Sequence, residues 1–146
     1  MTPCPIEDRI AIAELLIAYA HAVDSMHDLD GICDVFLPGA VFDLSGIGMQ
    51  AFYGHDGIRS FYTQVFGAMA HQAHYLSNIA ITAYAGDTAS ARAYVTGMAL
   101  GKDGNAVRVH GRYYVDVVRT SVGWKVQTLS MDFLLPVGGA PDNAET

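Results

Sequence analysis

The amino-acid sequence predicts an α+β fold in which three helices, gathered early in the chain, cover one face of a bent, largely antiparallel sheet. Three observations carry this expectation. Up to about Met69 the apolar residues recur mainly at intervals of three and four, the period of a helix. After Ala73 the chain turns into long β-branched and aromatic segments separated by glycine-rich turns. At 146 residues it is long enough for one core and too short for two, so a single domain over 1–146 is expected, with 1–5 and 137–146 as loose tails.

The first helix is expected over 6–26, where Ile10, Ala13, Leu16, Ile17, Ala20 and Val23 keep an amphipathic spacing. Asp28 is placed to cap a second, short helix through Phe36. Pro38-Gly39 is placed to end it, since proline cannot continue a helix and glycine tolerates the turn. Residues 40–44 alternate, with Phe42 and Leu44 on one side, and Ser45-Gly46-Ile47-Gly48 turns into a partner strand ending near Tyr53. His55-Asp56-Gly57 leads into a third helix over 58–69. Strands follow at 73–84, 88–100, 107–119 and 124–133, joined by turns such as Gly101-Lys102-Asp103-Gly104.

Hydrophobic residues make up 51% of the chain and charged residues 16%, which leaves apolar surface to hide in a ligand cavity or a subunit contact as well as in the core. Eight Lys and Arg stand against fifteen Asp and Glu. The resulting net charge of −7 repels phosphate backbones and anionic lipid, so neither nucleic acid nor membrane is expected as a partner. No apolar run reaches the ~20 residues of a membrane helix. The opening Met1-Thr2-Pro3-Cys4-Pro5 has neither the basic start nor the apolar middle of a secretion signal, which makes the cytoplasm the expected location. Cys4 and Cys33 match no metal-binding spacing, and no phosphate loop, GxSxG elbow or HExxH string occurs.

Asp24 is the most informative polar residue. It continues the apolar stripe Ala13, Ile17, Ala20 at helical spacing, so its carboxylate is expected to point inward, where it needs a cation or several donors. A cap of the second helix or a frayed end of the first is the alternative. Among six histidines, His74 stands out because it opens the strand Tyr75-Leu76-Ser77-Asn78-Ile79 directly after a helix. His71 and His74 could form a metal site with Asp24, but no ligand stands at the spacing such sites usually show, and no metal is expected. On 107–119 the residues Val109, Gly111, Tyr113, Val115 and Val117 form an apolar face opposite Arg108, His110, Arg112, Tyr114 and Asp116. Tyr113 therefore enters the core side as plain packing or as a substrate contact.

Four strings in order give the chain a family resemblance: Ala11-Ile12-Ala13-Glu14-Leu15-Leu16 ending in Ala22-Val23-Asp24; Val41-Phe42-Asp43-Leu44; His74-Tyr75-Leu76-Ser77-Asn78-Ile79; and Gly111-Arg112-Tyr113 with Gly123-Trp124-Lys125-Val126. In this order the chain resembles the SnoaL-like branch of the NTF2-like superfamily, especially its scytalone dehydratases and hexachlorocyclohexane dehydrochlorinases. The resemblance implies a cone-shaped fold, a catalytic His–Asp pair at His74 and Asp24, and a dehydrochlorinase-type pocket at Phe42, Tyr113, Leu129 and Met131. The tyrosine that scytalone dehydratase carries before its aspartate is Val23 here, which puts its water-mediated apparatus in doubt.

In such a site His74 acts as a general base beside a leaving group or carbonyl, Asp24 holds the imidazole, and no cofactor is needed. A small hydrophobic ring compound is the expected substrate, and elimination the expected reaction, with isomerisation or cyclisation as runner-up and a non-catalytic binding or assembly module as the alternative outside enzymology. Epoxide hydrolysis is disfavoured, since Asp24 is the one credible inward acid on the helices. The resemblance further implies a homo-oligomer, dimer or trimer, formed through the outer sheet face carrying His110, Arg112 and Tyr114.

Overall fold

The Asp28 carboxylate accepts the Gly31 amide at 2.9 Å and so starts a helix at Leu29, satisfying one of the donors that a helix leaves open at its beginning. That helix is α2 (Leu29–Val35), between α1 (Ile6–Asp24) and α3 (Gly54–Ala68). The strands are β1 (Phe36–Asp43), β2 (Ala51–Tyr53), β3 (Met69–Tyr84), β4 (Thr88–Gly101), β5 (Ala106–Thr120) and β6 (Gly123–Phe133). These elements belong to a computed structural model that describes residues 2–137. Of the expected tail at 137–146, residues 138–146 lie outside the described residues.

All six strands join one sheet in the order β2-β1-β6-β5-β4-β3. Every neighbouring pair is antiparallel except β1 with β6, which run parallel, so the sheet is mixed. Register shifts in β3, one of them around Asn78 at φ 54°, break the β3–β4 ladder and bend the sheet. The three helices pack into the resulting hollow. Phe36, Phe42, Ile12, Leu16, Ile32 and Ile58 are buried where helices and sheet meet, each worth about 1.5–3 kcal/mol of burial free energy.

Three expectations are corrected. The buried stripe of α1 is Ile12, Leu16, Tyr19, Ala20 and Val23, while Ile10 and Ile17 are 53% and 42% exposed. Apolar residues surround this helix almost completely, so spacing alone admits two faces; the sheet selects the one whose Tyr19 and Leu16 reach across the hollow. Pro38-Gly39 does not end α2 but lies inside β1, in the stretch between Phe36 and Val41 where the pairing with β6 shifts. A proline without an N–H is tolerated there because β1 pairs with β2 only from Val41 onward. Finally, β3 begins at Met69 and not at 73, since Met69, His71 and Gln72 pair with β4 despite weak local strand preference. His74 therefore sits within the strand and does not open it.

The far end of α1 is tied down by one acid. Asp8 accepts from Tyr84 Oη at 2.6 Å, Arg119 Nη2 at 2.8 Å and Trp124 Nε1 at 3.2 Å, joining α1 to β3, β5 and β6. The Arg119 hydrogen bond, followed by that of Tyr84, holds the Asp8 carboxyl down at about 2. A carboxyl depressed on folding stabilises fully above its unfolded value, near 4, and the contribution is lost as pH falls through about 2. Asp8→Asn is thus expected to unfold at a lower temperature than the wild type at neutral pH, with the gap closing between about pH 4 and about 2. Thermal unfolding followed across that range measures it.

Candidate active site

Asp24 is the last residue of α1 and His74 lies in β3, and folding brings them together through two hydrogen bonds. The His74 ring nitrogen Nδ1 stands 2.6 Å from Asp24 Oδ1, and the His74 main-chain N–H donates to Asp24 Oδ2 at 2.7 Å. An ionised carboxylate only accepts, so Nδ1 donates to it, and in the neutral imidazole this tautomer leaves the lone pair on Nε2. A third tie comes from Gln72, two residues earlier on the same strand face, whose Nε2 donates to the Val23 carbonyl at 2.6 Å. This engages one of the carbonyls that the helix end leaves open. Both side chains of the pair are about a quarter exposed, 23% for His74 and 27% for Asp24.

Beside the imidazole opens a cavity of about 270 Å³. Its walls are aromatic (Tyr19, Phe42, Phe61, Tyr62, Tyr113) and aliphatic (Val23, Val65, Val95, Met98, Met131), and no Lys, Arg, Asp or Glu lines it among the described residues. Its polar groups are His74, Gln72 and three phenols. Tyr19 and Tyr62 are hydrogen-bonded to each other through their hydroxyls. Burial, more than any neighbouring group, pushes the phenols of Tyr19, Tyr62 and Tyr113 well above their ordinary range, so all three remain protonated donors.

His74, Phe42, Tyr113 and Met131 of the expected site line this cavity, and Asp24 stands behind His74. Leu129 does not: it is fully buried, its backbone paired with Phe42 and Val115, and it packs in the core one inward position deeper than Met131. Asp24 reaches the site from the flank of the buried stripe, not from its centre. Among the described residues no three His, Cys, Asp or Glu side chains converge as metal ligands. Sequence reasoning missed Tyr19, Tyr62 and Gln72. Tyr19 could have been found once the inner face of α1 was set by Val23, four residues on, and Gln72 from its period-two relation to His74.

The pair makes a prediction that needs no substrate. In Asp24→Asn one of the two donors of His74 must meet an amide NH₂, and the arrangement that keeps the main-chain bond turns Nδ1 into an acceptor and moves the proton to Nε2. Nitrogen-15 spectra of the His74 ring are expected to show protonated Nδ1 in the wild type and protonated Nε2 in the variant; the same tautomer in both would contradict this geometry.

The profile of the SnoaL-like domain matches residues 5–130. A crystal structure from Novosphingobium aromaticivorans, described as that of a candidate aromatic ring hydroxylase, is 60% identical and superposes with a TM-score of 0.92, covering 98% of this chain and 100% of the other. A candidate scytalone dehydratase from the same organism is 15% identical with a TM-score of 0.83, over 93% of this chain and 89% of that one. A hexachlorocyclohexane dehydrochlorinase, LinA type 2, is 17% identical with a TM-score of 0.80, over 94% and 91%. At those two identities the likeness is one of fold. The profile match, spanning most of the sequence, settles the family: the chain belongs to the SnoaL-like domain family.

Proposed function

We propose that the chain is a cofactor-independent lyase that uses His74 as general base and Asp24 as its orienting partner on a small, uncharged ring compound. One observation carries this reading: the Nε2 edge of an imidazole whose Nδ1–H is held by a carboxylate borders an apolar, aromatic-walled cavity. The SnoaL-like family, which includes dehydratases and dehydrochlorinases, supports it. The description of the 60% identical protein as a candidate aromatic ring hydroxylase supports a ring compound as substrate but names an oxidation, a different reaction from elimination.

In the proposed reaction Nε2 takes a proton from carbon, the C–H electron pair becomes the new C=C bond, and the leaving group departs with its own pair. Asp24 stabilises the imidazolium formed. For loss of water the imidazolium returns its proton to the departing oxygen; halide needs none. A cavity of about 270 Å³ lies just below the range of about 300–1,000 Å³ common for drug-sized ligands, which suits a small substrate. With no cation in its wall, a carboxylate or phosphate inside would be desolvated without a partner, so the buried part of the substrate is neutral.

One feature favours a second reading. The Tyr113 hydroxyl engages no side chain among the described residues and faces the cavity as a protonated donor. It could hold an enolate oxygen, which is the requirement of an isomerase or cyclase that abstracts a proton beside a carbonyl.

A thermal-shift screen of neutral cyclic alcohols, ketones and halides identifies a substrate. With it, His74→Ala is expected to lower kcat by about 10²–10⁴-fold with little change in KM. Asp24→Asn should do comparable damage, and the double variant should be little worse than either single one. Full activity in His74→Ala, or losses that simply multiply, would assign the proton transfer to another residue.

A further inference from the structure

Glycine inside a strand gives up a side chain's packing, so each one on the cavity side of the sheet calls for a reason. Apart from Gly101 at the end of β4, two lie inside their strands, Gly111 in β5 and Gly97 in β4, and the reasons differ. A Cβ at Gly111 would collide with Met131 Cε and come within 3.0 Å of the Asp132 carbonyl, so the protein itself occupies that space. At Gly97 a Cβ would meet only the imidazole of His74, at 3.5 Å from both Nε2 and Cδ2, with nothing else within 4 Å. The backbone there needs no left-handed conformation, since its φ is not positive. Gly97 pairs with His74 on one side and Val109 on the other, and all three line the cavity.

The point left vacant by the missing side chain is therefore an ordinary contact distance from the Nε2 edge of His74. A carbon about to lose its proton must stand roughly 3–3.5 Å from the base. Elsewhere on the inner face of β4, Ala89, Ala91, Ala93 and Val95 are buried in the core and Ala99 lines the cavity. The side chain is missing at the position that pairs directly with the base.

We infer that Gly97 determines access to His74: its bare Cα is the floor on which the reacting carbon of the substrate rests, and any side chain there takes that carbon's place. The inference rests on the reading of His74 as the base, and it adds the residue that decides which ring edges can reach it. A ring presenting a flat C–H edge fits over Gly97; one substituted at the reacting carbon's outer side does not.

The test is chemical and requires no knowledge of the substrate. Diethyl pyrocarbonate acylates the unprotonated nitrogen of an imidazole: the Nε2 lone pair attacks the carbonyl carbon, the N–C bond forms as the anhydride C–O bond breaks, ethyl carbonate leaves with that pair, and the Nδ1 proton is released. Peptide mapping of full-length wild type and Gly97→Ala reads the rate at His74, with exposed His27 as internal reference. The rate at His74 is expected to fall by about an order of magnitude in Gly97→Ala, with His27 unchanged, the unfolding temperature equal or higher, and the nitrogen-15 signature of protonated Nδ1 retained. An unchanged rate at His74 would overturn the inference. A fall accompanied by loss of the Nδ1–H signature would also overturn it, by showing that the methyl disturbs the pair and does not screen it. A strongly destabilised variant would do the same, because the space would then not be vacant. A wild-type His74 that resists the reagent sinks the base reading itself, and with it this one.

Discussion

The Asp24 carboxylate, with each oxygen held by a different donor of His74, is the contact on which the rest of the site depends. It stands at an unfavourable place. A negative charge in the last turn of a helix opposes the helix dipole, at a cost of about 0.3–1 kcal/mol, and neighbouring carbonyls offer it nothing. Only donors from another element make the position tolerable, and β3 brings them as a main-chain N–H and a ring N–H from one residue. The end of α1 is fixed to match: Gln72 holds the Val23 carbonyl, and Ser25 Oγ donates to the Ala22 carbonyl at 2.6 Å while accepting the Asp28 amide at 3.0 Å. A local rule is broken where chemistry is expected, and tertiary contacts offset it.

From that junction the cavity follows. The inner face of β4 carries buried alanines and opens toward Val95 and Gly97 beside the imidazole. Aromatic rings from α1, β1, α3 and β5 close the space around it, with Tyr19 meeting Phe36, Phe42, Tyr62 and Tyr113 edge-on at 5.6–6.4 Å between centroids. Such contacts leave a wall that is apolar yet carries hydroxyl donors. A base in these surroundings interacts with its carboxylate more strongly than it would in water.

Much of this was legible from residue order. The alternation along 107–119 placed Tyr113 inward correctly, the period around 40–44 did the same for Phe42 and Leu44, and the Asp28 cap located α2. What could not be read was orientation where the pattern is degenerate. α1 is apolar nearly all round, so Ile17 and Leu16 were equal candidates until the sheet chose Leu16. Asp24 drew attention through a stripe that proved to be one position off. Leu129 and Met131 share one face of β6, and only the depth of the cavity separates them. Gly97 left no trace in periodicity, because a missing side chain has meaning only beside the residue it faces.

The central claim is that Nε2 of His74 moves a proton to and from carbon, and isotope exchange reads that step without the natural reaction. Neutral cyclic ketones bearing an acidic C–H, selected for binding by thermal shift, would be incubated with the protein in heavy water and their C–H signals followed by proton NMR. The account predicts that the wild type speeds replacement of hydrogen by deuterium for at least one bound ketone and that His74→Ala loses this acceleration while still binding it. Equal exchange in both proteins, for every ketone that enters the cavity, would contradict it.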